Sequence, residues 1–268
     1  MKYQPSLPEH NDNVSQEHPL KDFVVILGWL AVIAVLGFWL LGLAVDAMVD
    51  NMSHETEAKL YELMPAPAVA AQSDAPPQQA QLQAMVDRMR ACAGVRVPAR
   101  VALEKSEAPN AAVMPGGQIV VWSGLLDEVQ SENGLAFVLA HELAHISHRD
   151  HLRGLGRSIV LFGVSAVLLG SDAGLTELLA PVGRLGDATY SRSREEAADV
   201  AALRTLNCVY GHAGGATEFF ESMKGESGAL TELSHYAASH PSMQARIDAL
   251  NAAIRAAGMK VGETRALR

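Results

Sequence analysis

The feature that most constrains this chain is an apolar run from Phe23 to Val45, which contains no charged residue and is bracketed by Asp22 and Asp46. A helix needs roughly 20 apolar residues to cross the hydrocarbon core of a bilayer, so the run is long enough for one membrane span. The alternative is a cleaved signal peptide. Such peptides have an apolar core of only about 7–15 residues and a positively charged start. The run in this chain is longer than that core, and the leader before it is rich in acidic residues. We therefore predict an uncleaved transmembrane anchor over residues 22–46.

The residues on either side of the run give a weak indication of its orientation. Residues 1–21 are polar and are predicted to form a disordered leader. Lys2 and Lys21 precede the run, whereas Lys59 is the nearby cation that follows it. Because cytoplasmic flanks of membrane spans carry an excess of Lys and Arg, we expect the rest of the chain on the extracytoplasmic (periplasmic) side.

Composition places one further domain after the anchor. Residues 47–80 are predicted to hold a juxtamembrane helix and then a linker rich in Pro, Ala and Gln, and residues 81–268 the main domain. The formal net charge is -9 and no run of Lys and Arg is present, which excludes nucleic acid as a partner class. Cys92 and Cys208 fit no metal-binding pattern, and both a disulfide and two buried free thiols remain open for them.

The periodicity of apolar residues predicts an α+β domain that is mainly helical and has a small β-sheet. The run at 159–169 is too short to span a membrane; we interpret it as a buried core helix, with a shallow membrane contact as the alternative. The other predicted elements are a helix at 82–94, strands at 95–97, 101–103 and 118–122, a turn at 110–117, and helices from Asn133, at 192–206 and at 243–257.

A zinc-binding pattern lies on the helix that begins at Asn133. His141 and His145 are four residues apart, so both imidazoles lie on one helix face and can bind one Zn²⁺. Glu142 follows the first histidine and can act as the general base that activates a water molecule. The remainder of this helix is apolar, so the alternative, an exposed helix whose histidines bind no metal, is the weaker interpretation.

A catalytic zinc needs a third protein ligand. Glu195 and Asp199 are four residues apart on a second predicted helix, where Glu195 could bind the metal and Asp199 could accept a hydrogen bond from a liganding imidazole. A charge-rich, solvated helix face explains the same residues nearly as well, and the spacing alone does not favour Glu195 over Glu196. We interpret the polar residues His148, Asp150 and His151 as a helix end.

Several segments resemble a zinc metallopeptidase family that includes the bacterial protease HtpX, the CAAX prenyl protease and the mitochondrial protease Oma. The family pattern is H-E-x-x-H followed by S-R-x-x-E-x-x-A-D, and residues 141–145 and 191–199 match it in full. The resemblance spans about residues 80–255 and implies a zincin-like fold with one zinc per chain. It also implies that Glu195 is the third ligand and that Asp199 supports the site. The single anchor differs from the multi-span members.

The resemblance extends to two further segments. Asn110-Ala111, Pro115-Gly116-Gly117 and Gly124-Leu125-Leu126 resemble the region of the family that contains the substrate-binding edge strand, which implies that Gly117, Gln118, Ile119, Val120 and Val121 bind an extended substrate. An internal strand is the alternative. Ser239-His240-Pro241 with Arg246 resembles a segment in which the histidine approaches the metal, so His240 is expected to stabilise the oxyanion or to gate access, and Arg246 to support that loop. A capping role for His240 remains open.

These features predict a membrane-anchored zinc endopeptidase that acts on protein or peptide substrates, in a role such as membrane or envelope protein quality control. The alternative is an autoinhibited or chaperone-like module that binds client proteins on the same fold.

Overall fold

The computed structural model describes residues 19–63, 76–114, 116–169, 191–225 and 243–267. The chain divides into two compact units, Met1–Ala44 and Val45–Arg268. The described part of the first unit belongs to helix α1 (Pro19–Asp50), whose large apolar side chains are exposed throughout this unit. By length and composition α1 is a candidate membrane span, in agreement with the anchor predicted at 22–46.

The second unit is mainly helical and contains one small sheet, as predicted. It includes the end of α1, two short helices and several longer ones. The described elements are α2 (His54–Leu63), α3 (Pro77–Met89), β1 (Arg100–Glu104), β2 (Ala111–Met114), β3 (Gln118–Trp122), α4 (Ser123–Glu128), α5 (Glu132–Ser147), α6 (Asp150–Leu169), α7 (Arg192–Tyr210), α8 (Glu218–Gly225) and α9 (Met243–Ala256).

The sheet corrects the predicted position of the edge strand. Its order is β1-β3-β2, with β1 parallel and β2 antiparallel to β3, so that Gln118–Trp122 is the central strand. A strand with partners on both sides has no free ladder groups, and a substrate cannot pair with it. The predicted edge position is therefore wrong, whereas contact of Gly117, Gln118, Ile119, Val120 and Val121 with substrate other than by strand pairing stays a prediction. The edge position was implied by the family resemblance, whereas the β-branched run predicted only a strand and reflects burial on both faces.

Among the described residues, the two edges of this sheet differ. The outer edge of β1 is covered by α3, since the Val101 amide donates to Gln83 Oε1 over 2.8 Å and the Leu103 amide to Gln79 Oε1 over 3.1 Å. The opposite edge belongs to β2. The Trp122 amide donates to the Asn110 carbonyl, and because pairing alternates along an antiparallel ladder, the main-chain groups of Ala111 and Val113 point away from β3.

Three local predictions also differ from the structure. The predicted strand at 95–97 is a loop whose valines are buried, so its β-like composition reflects packing. Half of the predicted turn at 110–117 is strand β2, which pairs with β3. The prediction of a buried helix at 159–169 is wrong for its described side chains, since Ile159, Leu161 and Val164 are 39%, 54% and 39% exposed. The alternative of a membrane contact stays a prediction.

Helix α5 runs through the core and organises the second unit. Its side chains are buried from Asn133 to Ile146, which follows from a sequence that is apolar on nearly every face. Ser131 caps its N-terminus by accepting a hydrogen bond from the Gly134 amide over 3.0 Å. Helix α7 and strand β2 pack against α5, so functional side chains on all three elements meet. A disulfide between Cys92 and Cys208 joins the chain just after α3 to α7.

Helix α2, the turn at Arg149 and the start of α6 share a polar cluster, the Glu57 cluster, formed by Glu57, Tyr61, Arg149 and His151. Glu57 and His151 are buried, and the other two are partly buried. Tyr61 donates its hydroxyl hydrogen to Glu57 Oε1 over 3.0 Å. His151 Nε2 lies 2.5 Å from the same hydroxyl group, and because the hydroxyl hydrogen is already used, Nε2 donates to the Tyr61 oxygen. Arg149 Nε donates to Glu57 Oε2 over 2.8 Å. The juxtamembrane helix therefore belongs to the second unit, which begins before the boundary predicted near residue 80.

The neutral state of His151 predicts a loss of stability in acid. Burial lowers the pKa of His151 to about 4, and the nearby positive charge of Arg149 adds to this lowering while Asp150 opposes it. In the unfolded chain the histidine takes up its proton near pH 6.5. The contribution of neutral His151 to the free energy of unfolding is therefore complete above that pH and is lost as pH falls through about 4. We expect it to be on the order of 3 kcal/mol. Thermal unfolding of wild type and His151→Gln at pH 7 and pH 4.5 measures it, and an equal acid shift in both proteins contradicts the assignment.

Candidate metal centre

Helix α5 brings the H-E-x-x-H side chains into the interior. His141, Glu142 and His145 are 2%, 2% and 0% exposed. One turn of helix separates the histidines, so their rings meet edge to face with Nε2 atoms 3.1 Å apart. Three buried polar side chains on one turn are costly unless partners satisfy them. The partners come from α6, α7 and α9.

Helix α7 places Glu195 opposite the two imidazoles. Its carboxylate oxygens lie 3.4 Å from His141 Nε2 and 3.3 Å from His145 Nε2. Glu195 is buried, whereas Glu196 is exposed. The tertiary structure therefore distinguishes the two glutamates, which the spacing alone did not. The interpretation as a solvated helix face does not apply to Glu195.

Two further carboxylates orient the imidazoles. His141 Nδ1 lies 2.9 Å from Asp199 Oδ1, and His145 Nδ1 lies 3.0 Å from Asp150 Oδ2. Each Nδ1 thus donates its hydrogen to a carboxylate, as metal-binding histidines in proteins commonly do. Both Nε2 lone pairs then point to the space that the Glu195 carboxylate also faces.

This donor set fits a metal ion. Tetrahedral ligands at about 2.0–2.1 Å from zinc lie about 3.3 Å from one another, close to the separations of 3.1–3.4 Å among His141, His145 and Glu195. The three residues form a potential metal-binding group with all ligand atoms within 4.8 Å. Two lone pairs this close repel each other unless a cation or a proton lies between them.

Asp150 is a member of the site that sequence reasoning missed. We interpreted it as a polar residue at a helix end, but it is 3% exposed and is the first residue of α6. Its position five residues after His145 does not correspond to a helical repeat. The contact arises at the turn between α5 and α6, where Arg149 has a φ of 58°, a geometry that the spacing of residues does not reveal.

Arg246 reaches the site from α9. Its Nε and Nη2 donate to both oxygens of Asp199 over 2.8 and 2.5 Å, and Nη1 lies 3.4 Å from Glu195 Oε2. The guanidinium also stacks over the Phe220 ring at 4.5 Å. The described contacts of Arg246 also include His141 Nδ1, 3.3 Å from Nη2. Its predicted support of the His240 loop stays a prediction. His240 itself lies outside the described residues.

The electrostatics of the cluster favour a positive charge between the imidazoles. Burial and the Arg246 charge both lower the pKa of His141, but hydrogen bonds to Asp199 and Glu195 outweigh them and raise it to about 9. Burial raises the pKa of Asp199, yet its hydrogen bond to His141 and the charge of Arg246 hold that pKa below the usual range. The cluster therefore favours positive charge at the position where a metal ion fits.

Glu142 lies beside the ligand cluster and is not a member of it. Burial raises the pKa of its carboxyl group, while the charges of His141 and His145 and a hydrogen bond from the Val113 backbone lower it. Its second oxygen, Oε2, is buried and has no hydrogen-bond partner among the described residues. A buried carboxylate oxygen without a partner beside a metal site is suited to accept a proton from water.

Comparison with known proteins agrees with this geometry. Residues 76–254 match the family described as Peptidase family M48. The chain is 32% identical over 143 residues to the mitochondrial metalloendopeptidase OMA1 of Schizosaccharomyces pombe, which covers 52% of this chain and 42% of that protein. It is 32% identical over 128 residues to a putative beta-barrel assembly-enhancing protease of Vibrio cholerae, covering 44% and 26%.

A third relative is similar over more of its length. The protease HtpX homolog of Salinibacter ruber is 30% identical over 200 residues, which cover 62% of this chain and 72% of the relative. The chain thus spans most of this relative but less than half of the yeast and Vibrio proteins.

Proposed function

This chain belongs to peptidase family M48, and on that premise we propose that it is a membrane-anchored zinc endopeptidase that hydrolyses peptide bonds in protein substrates. The observation that carries the proposal is the convergence of two imidazole Nε2 atoms and the Glu195 carboxylate beside the unpartnered Oε2 of Glu142. A purely structural metal site would have no use for that carboxylate. The donor set of two histidines and one glutamate leaves one tetrahedral position open, as catalytic zinc sites do.

Each residue has a distinct role in this mechanism. His141, His145 and Glu195 would hold a zinc ion, which would polarise the scissile carbonyl and lower the pKa of water. Glu142 removes a proton from the attacking water and returns it to the leaving amine. Asp199 and Asp150 keep both imidazoles in the tautomer that presents Nε2. Arg246 balances the negative charge of Asp199 and Glu195.

The outer edge of β2 is the surface that we assign to the substrate backbone. It is the sheet edge that α3 does not cover, and the Val113 amide already points from it to Glu142. An extended peptide that pairs with the outward groups of Ala111 and with the Val113 carbonyl would run past the general base. This assignment replaces the central strand β3, whose ladder groups are all engaged.

The location of the catalytic unit is proposed from the anchor and the disulfide. α1 is a candidate span, and Cys92 and Cys208 are bonded to each other. Disulfides persist in oxidising compartments and are rare in the cytosol, so the pair supports an extracytoplasmic position for the unit that begins at Val45. A relative whose name refers to beta-barrel assembly supports a role in envelope protein maintenance.

The test uses the full-length chain in detergent with casein as substrate. We expect about one zinc per chain by elemental analysis, cleavage that a chelator abolishes, and recovery when zinc is restored. A non-reducing gel of the same preparation, isolated with its thiols blocked, should show the oxidised pair. Folded protein that contains no zinc and does not bind it contradicts the proposal, as does cleavage that persists after the metal is removed.

A further inference from the structure

Glu57 is a buried carboxylate in the juxtamembrane helix, outside the metal centre. It is 2% exposed on α2, although the neighbouring Glu55 of the same helix is exposed and pairs with Lys59. Removing a carboxylate from water is unfavourable unless charged partners replace the water. Arg149 and Tyr61 are those partners. The position of α2 is therefore coupled to the position of Arg149.

Arg149 occupies the turn between α5 and α6 in a conformation that its own backbone disfavours. Its φ is 58°, the one positive value at a non-glycine residue in the described part of the chain. The side chain is held at three places: Glu57, the Val49 carbonyl at 2.9 Å, and His54 Nδ1 at 3.2 Å from Nη2. A strained residue persists where surrounding contacts define its position, and these contacts come from the end of α1 and from α2.

The residue that follows this turn orients a metal ligand. Asp150 begins α6, and its Oδ2 lies 3.0 Å from His145 Nδ1. A different conformation at Arg149 would rotate the peptide that carries Asp150 and would move its carboxylate away from the imidazole. The contacts thus run from Glu57 to Arg149, from Arg149 through the backbone to Asp150, and from Asp150 to His145.

We propose that Glu57 is a positioning residue for the metal centre, acting through the Arg149 turn on Asp150 and His145. The inference rests on the proposed function, because it concerns the affinity of the same site for zinc. It implies that the segment from the end of α1 through α2 influences the metal-binding site of the enzyme. The segment that joins the anchor to the catalytic residues would then determine how firmly zinc is held.

The experiment measures zinc affinity rather than activity, using full-length protein in detergent and competition with a chromogenic chelator. Glu57→Gln is expected to weaken zinc binding about tenfold, the lower end of the range for loss of a group that supports a ligand. Glu55→Gln is the matched control, with the same substitution on an exposed position of the same helix. We expect it to bind zinc as wild type does.

A double variant separates positioning from general stabilisation. If Glu57 acts through Asp150, Glu57→Gln combined with Asp150→Asn binds zinc no more weakly than Asp150→Asn alone. Additive losses, or equal affinity in Glu57→Gln and Glu55→Gln, overturn the inference. Wild-type protein that binds no zinc would instead contradict the proposed function.

A second substitution keeps the test valid if Glu57→Gln does not fold. Arg149→Lys retains a positive charge beside Glu57 but cannot also reach the Val49 carbonyl and His54. We expect the same weakening of zinc binding from this variant. Wild-type affinity in folded Arg149→Lys overturns the proposed role of the turn.

Discussion

Glu142→Gln is expected to reduce the rate of peptide cleavage by about 10²–10⁴-fold while zinc remains bound, since general acid–base catalysis contributes about this factor. The amide has nearly the shape of the carboxylate, but it cannot accept the proton of the attacking water. Zinc stays bound because Glu142 is not among the three residues whose ligand atoms converge. Retained metal and a lost rate together identify the residue as the base.

The Glu142→Gln measurement needs substrate turnover and metal content from one preparation. Glu196→Gln is a suitable control, because Glu196 is an exposed glutamate on α7 next to a proposed ligand. We expect wild-type cleavage and one zinc per chain from that control. Cleavage by Glu142→Gln at the wild-type rate would exclude Glu142 as the general base. Loss of zinc from this variant would contradict its position outside the ligand set.

Glu195→Gln is expected to weaken zinc binding by more than the 10–100-fold that loss of an outer supporting group costs. A neutral amide oxygen is a poorer zinc ligand than a carboxylate. The substitution also removes one of the acidic partners of Arg246, whose Nη1 lies 3.4 Å from Glu195 Oε2. Zinc should therefore no longer stabilise the folded chain. In wild type, a zinc concentration 100 times the dissociation constant adds about 2.7 kcal/mol to the free energy of unfolding.

Thermal unfolding with and without added zinc provides the readout for Glu195→Gln. The neighbouring Glu196→Gln is again the matched control and should keep the full zinc-dependent increase in melting temperature. An equal increase in both variants would show that Glu195 is not a ligand, whatever its position beside the imidazoles. Cleavage at limiting zinc should follow the same order as the melting temperatures.

Much of the metal centre was predictable because its spacing is local. Residues four apart share a helix face regardless of the rest of the fold, so His141 with His145 and Glu195 with Asp199 could be paired from the sequence. The long helices were also predictable, since apolar periodicity reports which faces avoid water. The structure places Glu195 beside both imidazoles and Asp199 beside His141, as the family resemblance implied.

Other features depended on contacts between distant parts of the chain. The strand at 118–122 has the composition of a strand wherever it lies in a sheet, and only its pairing with both β1 and β2 makes it central. Asp150 reads as an ordinary polar residue at a helix end, because its contact with His145 requires the turn at Arg149. His240 lies outside the described residues, so its role stays a prediction.

The sequence by itself determined the candidate membrane span, the helical character of the domain and the pairing of side chains within the motif, since these follow from composition and from spacing within single helices. The tertiary structure decided which acid contacts His145, which strand is central in the sheet and where the second compact unit begins. Glu57 shows the physical reason. A glutamate on a polar juxtamembrane helix is expected in solvent, and it is buried only because Arg149, 92 residues away, brings a charge to meet it.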